Sequence, residues 1–219
     1  MLRLLKHFHS NRLFFILFIC WISILSIILF GYHKEDSFIF TNSKHHLFFD
    51  YFFSIITYYG DGWFLIICGL LCFFLRSKKI GSAIIFTYIG SGLVCSLLKR
   101  LFSHPRPAFF LGDQVEFHKI SWISLAYHNA FPSGHTTSAF AFATCIALFS
   151  EDKRLAIPAL ILACLTGYSR VYLGQHFWDD VWFGSIIGLL FSSLYYIFFQ
   201  YFSSQKWNGK ILLPPSFKL

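Results

Sequence analysis

Residues 13–30 read LFFILFICWISILSIILF and contain no charged side chain. A helix of about 20 apolar residues crosses a hydrocarbon core about 30 Å thick, so this run predicts a membrane-spanning helix over 13–31. Five further apolar segments also predict membrane-spanning helices, at 60–75 (with a start as early as Ser54), 80–102, 135–150, 155–174 and 179–202. We therefore expect an all-α, polytopic membrane protein built as a bundle of six transmembrane helices.

The composition supports a membrane environment. Hydrophobic residues make up 56% of the 219 residues and charged residues only 13%, with a mean hydropathy of +0.60. Soluble domains contain about 25% charged residues, so lipid is the expected solvent. The length suits a single domain over 1–219, with a short cytoplasmic tail at about 203–219. The net charge of +8 lies mainly between apolar segments, so we expect no nucleic-acid partner.

The distribution of Lys and Arg predicts the orientation in the membrane. With the N-terminus inside, eleven of the 18 Lys and Arg residues fall on cytoplasmic segments and seven on outer segments. This bias favours cytoplasmic N- and C-termini. The long connections 32–59 and 103–134 then lie outside, which is where a binding site is expected. Within the first, the aromatic stretch 46–53 predicts an amphipathic helix in the membrane interface.

Three stretches at the outer face contain ionisable groups, which are costly at membrane depth and therefore indicate function. The first, KRLFSHPRP, begins at Lys99 and contains Arg106 about two helical turns later, although its prolines make a continuous helix uncertain. The second, FPSGH, predicts a helix capped by Ser133, with Gly134 allowing an anion to approach the free backbone amides. Taken alone, these stretches also fit snorkelling cations and an ordinary capped helix.

The third stretch, SRVYLGQHFWDD, contains Arg170, His176 and Asp180. On a helix His176 and Asp180 would share one face, where the carboxylate would hold one tautomer of the imidazole. Asp179 would point away, in a solvent-facing or capping role. Alone, the stretch fits an interfacial histidine equally well. Together the three stretches supply three cations, a helix N-terminus, two histidines and an orienting carboxylate, which are the parts that phosphoryl transfer needs.

In this order, Lys-x6-Arg-Pro, Pro-Ser-Gly-His and Ser-Arg-x5-His-x3-Asp resemble the motifs of the type-2 phosphatidic acid phosphatase superfamily, over residues 99–180. The resemblance implies that His176 attacks phosphorus and forms a phosphohistidine, that Asp180 orients His176, and that His135 protonates the departing lipid oxygen. It also implies a phosphate cradle made of Lys99, Arg106, Ser133, Gly134 and Arg170. Because three protein cations would take the place of a metal, we expect no metal and no cofactor.

Other groups that often bind metals are expected to be structural. The six cysteines all fall inside apolar stretches, which predicts packing rather than disulfides or a zinc site. His104, His118 and His128 share the loop after the third predicted helix but lack the spacing of metal ligands.

The sequence therefore predicts a metal-independent phosphatase at the outer face of a bacterial inner membrane, with the bilayer and a lipid phosphate as its partners. The candidate substrates are undecaprenyl diphosphate, phosphatidylglycerophosphate, phosphatidic acid and a lipid A phosphate. A lipid-linked phosphotransferase of the same superfamily would use the same residues, and a transporter or channel is a more distant alternative. The oligomeric state stays open.

Overall fold

The computed structural model describes residues 9–112 and 115–207, and within these ranges it contains helices and no strand. The part of the predicted tail beyond residue 207 lies outside the described residues. The helices, numbered in chain order, are α1 (Arg12–Gly31), α2 (Lys34–Asn42), α3 (Leu47–Ile56), α4 (Gly62–Leu75), α5 (Lys78–Phe102), α6 (Pro107–Phe110), α7 (Gly134–Phe149), α8 (Ala156–Tyr172) and α9 (Trp178–Trp207). Short 3-10 turns occupy Thr57–Gly60 and Lys153–Leu155.

The predicted spans correspond closely to observed helices. Among the described residues, four stretches are long and apolar enough to cross a membrane: Arg12–Gly31, Lys78–Phe110, Lys153–Tyr172 and Trp178–Phe202. The pair Leu47–Gly60 and Gly62–Leu75, bent by 55°, makes a fifth if it is one broken span. Helix α7 is apolar but has only 16 residues. The all-helical membrane class is thus confirmed, while the count of six spans and their orientation stay predictions.

Helix α7 forms the centre of the bundle, because α5, α8 and α9 all pack against it. Small residues make this possible, since Ala139, Ala143 and Ala147 are fully buried on α7. On α9, a Cβ at Gly188 would overlap the backbone carbonyl of Thr137, so only glycine permits this approach of the two helices. Most of α7 therefore faces protein, which brings its N-terminus into the middle of the fold.

The segment 32–59 contains two helices, α2 and α3, and is tied to the end of α8 by polar contacts. The buried Asn42 donates from Nδ2 to the carbonyls of His118 (3.1 Å) and Tyr172 (3.0 Å). The buried carboxylate of Asp50 accepts from the Tyr172 hydroxyl (2.6 Å) and pairs with His118 Nε2 (3.0 Å). These contacts hold the segment 32–59 and the loop around His118 against Tyr172 of α8, two residues from Arg170.

Candidate active site

A sharp turn between α8 and α9 presents His176. Gly174 adopts φ +70, which an L side chain rarely adopts, and the amides of Gln175 (2.9 Å) and His176 (3.1 Å) both donate to the carbonyl of Arg170. His176 therefore lies in the turn before α9, between the predicted spans 155–174 and 179–202 and not on a helix. Asp180 lies in the first turn of α9, so the four-residue spacing still brings the two side chains together.

His176 and Asp180 form a buried pair. His176 Nδ1 lies 3.1 Å from Asp180 Oδ2, with the two side chains 2% and 0% exposed. The same Oδ2 accepts from the amide of Phe177 (3.0 Å), so the carboxylate also caps the start of α9, where negative charge is favourable. The backbone carbonyl of Asp180 accepts from the amide of Ser133 (3.0 Å). The second and third motifs are thus joined by a main-chain hydrogen bond.

Burial and three nearby cations determine the charge of His176. Burial is the largest cause that lowers the pKa of His176 well below its ordinary 6.5, followed by the charges of Arg106, Arg170 and Lys99. The imidazole is therefore neutral near neutral pH. Because Nδ1 faces the carboxylate, the proton belongs on Nδ1 and the lone pair on Nε2. A neutral imidazole with a free Nε2 lone pair is a nucleophile.

The second stretch opens α7 as the sequence predicted. Ser133 is the N-cap, and its Oγ accepts from the amide of Thr136 (3.4 Å) and contacts the Thr136 hydroxyl (2.8 Å). The nearest neighbour that a Cβ on Gly134 would meet is Cys95 Sγ, at 3.9 Å, so space remains beside the Gly134 Cα. A helix N-terminus with free amides and open space is suited to an anion.

The three cations reach the site from three elements. Lys99, in the last turn of α5, donates to the carbonyls of Asn129 and Ala130. Helix α5 ends at Phe102 and Ser103 adopts φ 45, so Lys99 and Arg106 are not brought together by a continuous helix. A loop contact positions Arg106 instead, since its amide donates to the carbonyl of Tyr127 (2.9 Å).

The side chain of Arg106 is held by a clamp that includes a residue outside the predicted set. Its Nε donates to the carbonyl of His128 (3.0 Å), and its Nη1 donates to both the carbonyl and the Oε1 of Gln175, each at 3.1 Å. Gln175 itself is buried and donates from Nε2 to the carbonyl of Ser124 (3.0 Å). Because Gln175 directly precedes His176, this clamp links the first motif to the third.

Two further residues at the site were missed by sequence reasoning, and both lie between α3 and α4. The Oγ1 of Thr57 accepts from Nη1 of the buried Arg170 (2.7 Å), whose Nε has no partner among the described residues. Asp61 Oδ2 lies 3.8 Å from His135 Nε2. A lone carboxylate between two apolar segments was a usable signal for Asp61. Nothing in the sequence singled out Thr57.

Asp179 and His118 form ion pairs of their own. Asp179 pairs through Oδ2 with Lys34 Nζ (2.9 Å) and accepts the amide of Asp180 at Oδ1 (3.0 Å), which includes the capping contact expected for it. His118 Nε2 pairs with Asp50 Oδ2 at 3.0 Å. Within residues 9–112 and 115–207, no group of three or more His, Cys, Asp or Glu side chains is arranged to hold a metal ion.

Comparison with known proteins agrees with this architecture. The model of the PAP2 superfamily matches residues 81–204, and the chain therefore belongs to the PAP2 superfamily. A lipid A 1-phosphatase from Rhizobium johnstonii is 34% identical over 167 residues, which cover 67% of this chain and 66% of that protein. The relatives that the chain matches are named lipid phosphatases, which are phosphoric ester hydrolases, and this is the enzyme class that they indicate.

Two solved structures share the fold. The crystal structure of Aquifex aeolicus LpxE superposes with a TM-score of 0.64 at 29% identity, covering 74% of this chain and 93% of that one. A transmembrane PAP2 type phosphatidylglycerolphosphate phosphatase from Bacillus subtilis gives a TM-score of 0.61 at 23% identity, covering 88% and 96% of the two chains. At 23% identity, the similarity to the Bacillus subtilis structure shows a shared fold and nothing more.

Proposed function

We propose that this chain is a metal-independent phosphatase that hydrolyses a lipid phosphate monoester or diphosphate through a phosphohistidine on His176. The observation that supports this most directly is the buried His176–Asp180 pair, with Nδ1 facing the carboxylate at 3.1 Å. That pairing leaves Nε2 as the attacking atom. The phosphohistidine formed in this way is cationic, and the Asp180 carboxylate would stabilise it.

The reaction has two balanced steps. In the first, Nε2 of His176 forms a bond to phosphorus, the bond between phosphorus and the lipid oxygen breaks, and His135 donates a proton to that oxygen. In the second, water attacks phosphorus, His135 accepts a proton from the water, and the phosphorus–nitrogen bond breaks to release inorganic phosphate. General acid and general base roles of one group in successive steps follow from microscopic reversibility.

The phosphoryl oxygens would be bound by Lys99, Arg106, Arg170, Ser133 and the amide of Gly134. Charge spreads over these oxygens in the transition state, so fixed positive groups in a site of low dielectric accelerate the reaction. The unpartnered Nε of the buried Arg170 supports such a contact, because a phosphate oxygen would satisfy it. Three protein cations would supply the charge that a metal supplies in many phosphatases.

The substrate is proposed to be a membrane lipid reached from the outer face. We propose six spans with cytoplasmic termini in a bacterial inner membrane, on the basis of the Lys and Arg bias and the apolar helices. The candidates are a lipid A phosphate, undecaprenyl diphosphate, phosphatidylglycerophosphate and phosphatidic acid. The name of the 34% identical relative makes a lipid A phosphate the first to test.

The test is phosphate release by purified protein in detergent from a panel of these four lipids, with His176→Ala as the inactive variant. The exposed His33, whose side chain makes no cap at α2, provides a matched His33→Ala control. We expect the parent and His33→Ala to release phosphate and His176→Ala to lose at least about 1,000-fold. Parental phosphate release by a folded His176→Ala protein would refute the mechanism.

Two further readouts separate the alternatives. A phosphorylated acceptor in place of inorganic phosphate would identify a phosphotransferase, and solute flux into liposomes without any hydrolysis would identify a transporter. Rapid quenching of the parent with labelled substrate is expected to trap phosphate on protein in a linkage that is labile in acid and stable in base, as expected for phosphohistidine. Sided liposomes with substrate on one face only would identify the membrane face of the site.

A further inference from the structure

The segment Thr57–Gly60 and the adjoining Asp61 connect α3 to α4 and lie outside all three sequence motifs. Thr57 accepts a hydrogen bond from Arg170 of the third motif. Gly60 packs so closely on the second motif that a Cβ there would overlap the backbone carbonyl of His135. The segment therefore contacts both of the later motifs directly.

Asp61 brings a carboxylate to the ring of His135. Asp61 Oδ2 lies 3.8 Å from His135 Nε2, and the two side chains are 30% and 33% exposed. In the part of the chain that the structure describes, it is the one carboxylate within 4.0 Å of a ring nitrogen of His135. Asp61 Oδ1 accepts from the amide of Trp63 (2.9 Å), which fixes the carboxylate at the N-cap of α4.

The other charged groups around His135 are mostly positive. Those that face it from neighbouring elements are Lys99 of α5, Arg106 of the loop before α6, Arg170 of α8 and the His176–Asp180 pair at α9. The three cations oppose a positive charge on His135. Because His135 must be protonated to donate to the leaving-group oxygen, it needs an anion beside it. Asp180 does not fill this role, because its carboxylate is already paired with His176.

We propose that Asp61 is a positioning residue for the leaving-group step, whose carboxylate stabilises the protonated form of His135 and orients its ring. This inference rests on the proposed phosphatase function. The distance of 3.8 Å is too long for a direct hydrogen bond, so the interaction is between charges. The ring proton thus stays available for transfer, in contrast to the 3.1 Å contact that holds the proton of His176.

The proposal assigns Asp61 to both chemical steps. When the bond between phosphorus and the lipid oxygen breaks, the electron pair goes to oxygen and the His135 proton follows it, leaving His135 neutral. When water attacks the phosphohistidine, His135 takes up a proton again, and the Asp61 carboxylate stabilises the charge that returns. Asp61 itself neither gains nor loses a proton in this sequence.

The test compares Asp61→Asn with the parent on two probes, dodecyl phosphate and p-nitrophenyl phosphate. Asn caps helices as well as Asp does, so the substitution removes the charge and keeps the α4 cap. For dodecyl phosphate, whose alkoxide needs a proton to leave, we expect the alkaline limb of the kcat/KM profile to move to lower pH by about one unit and turnover near pH 7.5 to fall about tenfold. For p-nitrophenyl phosphate, whose phenolate leaves without a proton, the change should be less than about threefold.

Asp61→Glu is the matched variant that keeps the charge, and it should restore the parental alkaline limb even if its overall rate differs. A parental pH profile in Asp61→Asn would overturn the inference. So would equal losses on both probes without a shift of the alkaline limb, because that pattern indicates a structural role alone. If the active parent retains its dependence on His176, such results overturn only the role of Asp61. A parent that hydrolyses neither probe nor any panel lipid overturns the proposed function as well.

Discussion

Replacement of Asp180 by Asn changes one buried charge and almost no volume. Asp180 Oδ2 accepts two hydrogen bonds, from His176 Nδ1 (3.1 Å) and from the amide of Phe177 (3.0 Å), while its Oδ1 is buried without a partner among the described residues. If the Asn oxygen takes the position of Oδ2, both bonds remain but the negative charge is lost. If the amide group takes that position, it faces Nδ1 and moves the imidazole proton to Nε2, the proposed attacking atom.

The expected loss follows from these contacts. A hydrogen bond to a charged group contributes about 1.5–3 kcal/mol, and the loss of the anion beside a cationic phosphohistidine adds to it. A total of about 3–5 kcal/mol in the barrier corresponds to a decrease in kcat of roughly 100-fold to 10,000-fold. The melting temperature should stay equal or rise, because a buried carboxylate with an unpartnered oxygen destabilises the folded state.

The assay measures phosphate release and thermal unfolding of the same Asp180→Asn preparation in detergent. The neighbouring Asp179→Asn is the matched control, since Asp179 pairs with Lys34 and should change kcat less than about threefold. A value of kcat for Asp180→Asn within tenfold of the parent would refute the role of the carboxylate. A large fall in the melting temperature together with lost activity would instead indicate that Asp180 is mainly structural.

Four other predictions follow. Gln175→Leu removes the Oε1 acceptor of the Arg106 side chain and should lower kcat/KM about tenfold. An unchanged kcat/KM would show that the backbone carbonyls of His128 and Gln175 are enough to hold Arg106 in place. Thr57→Val leaves buried Nη1 of Arg170 without its hydroxyl partner and should lower both kcat/KM, about 10-fold to 100-fold, and the melting temperature, with Thr57→Ser restoring both. Because the pKa of His176 is lowered, its neutral form persists to acid pH, so the acidic limb of kcat/KM should lie below pH 6.5. Because His135 must be protonated to donate, kcat/KM should also fall on the alkaline side, and a flat profile from pH 5 to 9 would contradict the mechanism. Activity should persist in EDTA, and a loss that Mg²⁺ restores would contradict a metal-independent site.

Much of the fold was accessible from sequence because membrane spans are a local property. The run 13–30 and segments such as 155–174 are apolar over the length that a bilayer requires, and the observed helices Arg12–Gly31 and Ala156–Tyr172 match them within two residues. The bend between α3 and α4 could not be predicted from hydropathy. The helical path breaks at Asp61 because Thr57–Gly60 packs against α7 and α8, and this packing has no signature in the hydropathy of the segment.

The candidate site divides in the same way. The type and order of its motif residues could be predicted from the sequence. Ser133 is a recognisable helix N-cap, and the four-residue spacing of His176 and Asp180 predicts that their side chains meet. The conformation of Arg106 could not, because α5 ends before it and a loop carbonyl fixes its backbone. A left-handed residue and a loop contact override the helical spacing that the sequence suggested.

The sequence by itself determined the membrane class, the approximate spans and the residue types available for phosphate chemistry, because these depend on local hydropathy and short-range spacing. Only the tertiary structure decided which residues outside the motifs join the site. Thr57 reaches Arg170 across 113 positions of sequence, and Asp61 meets His135 only because Gly60 lets the connecting segment pack on the start of α7. Contacts of this kind depend on the packing of small residues between helices and leave no periodic signal in the chain.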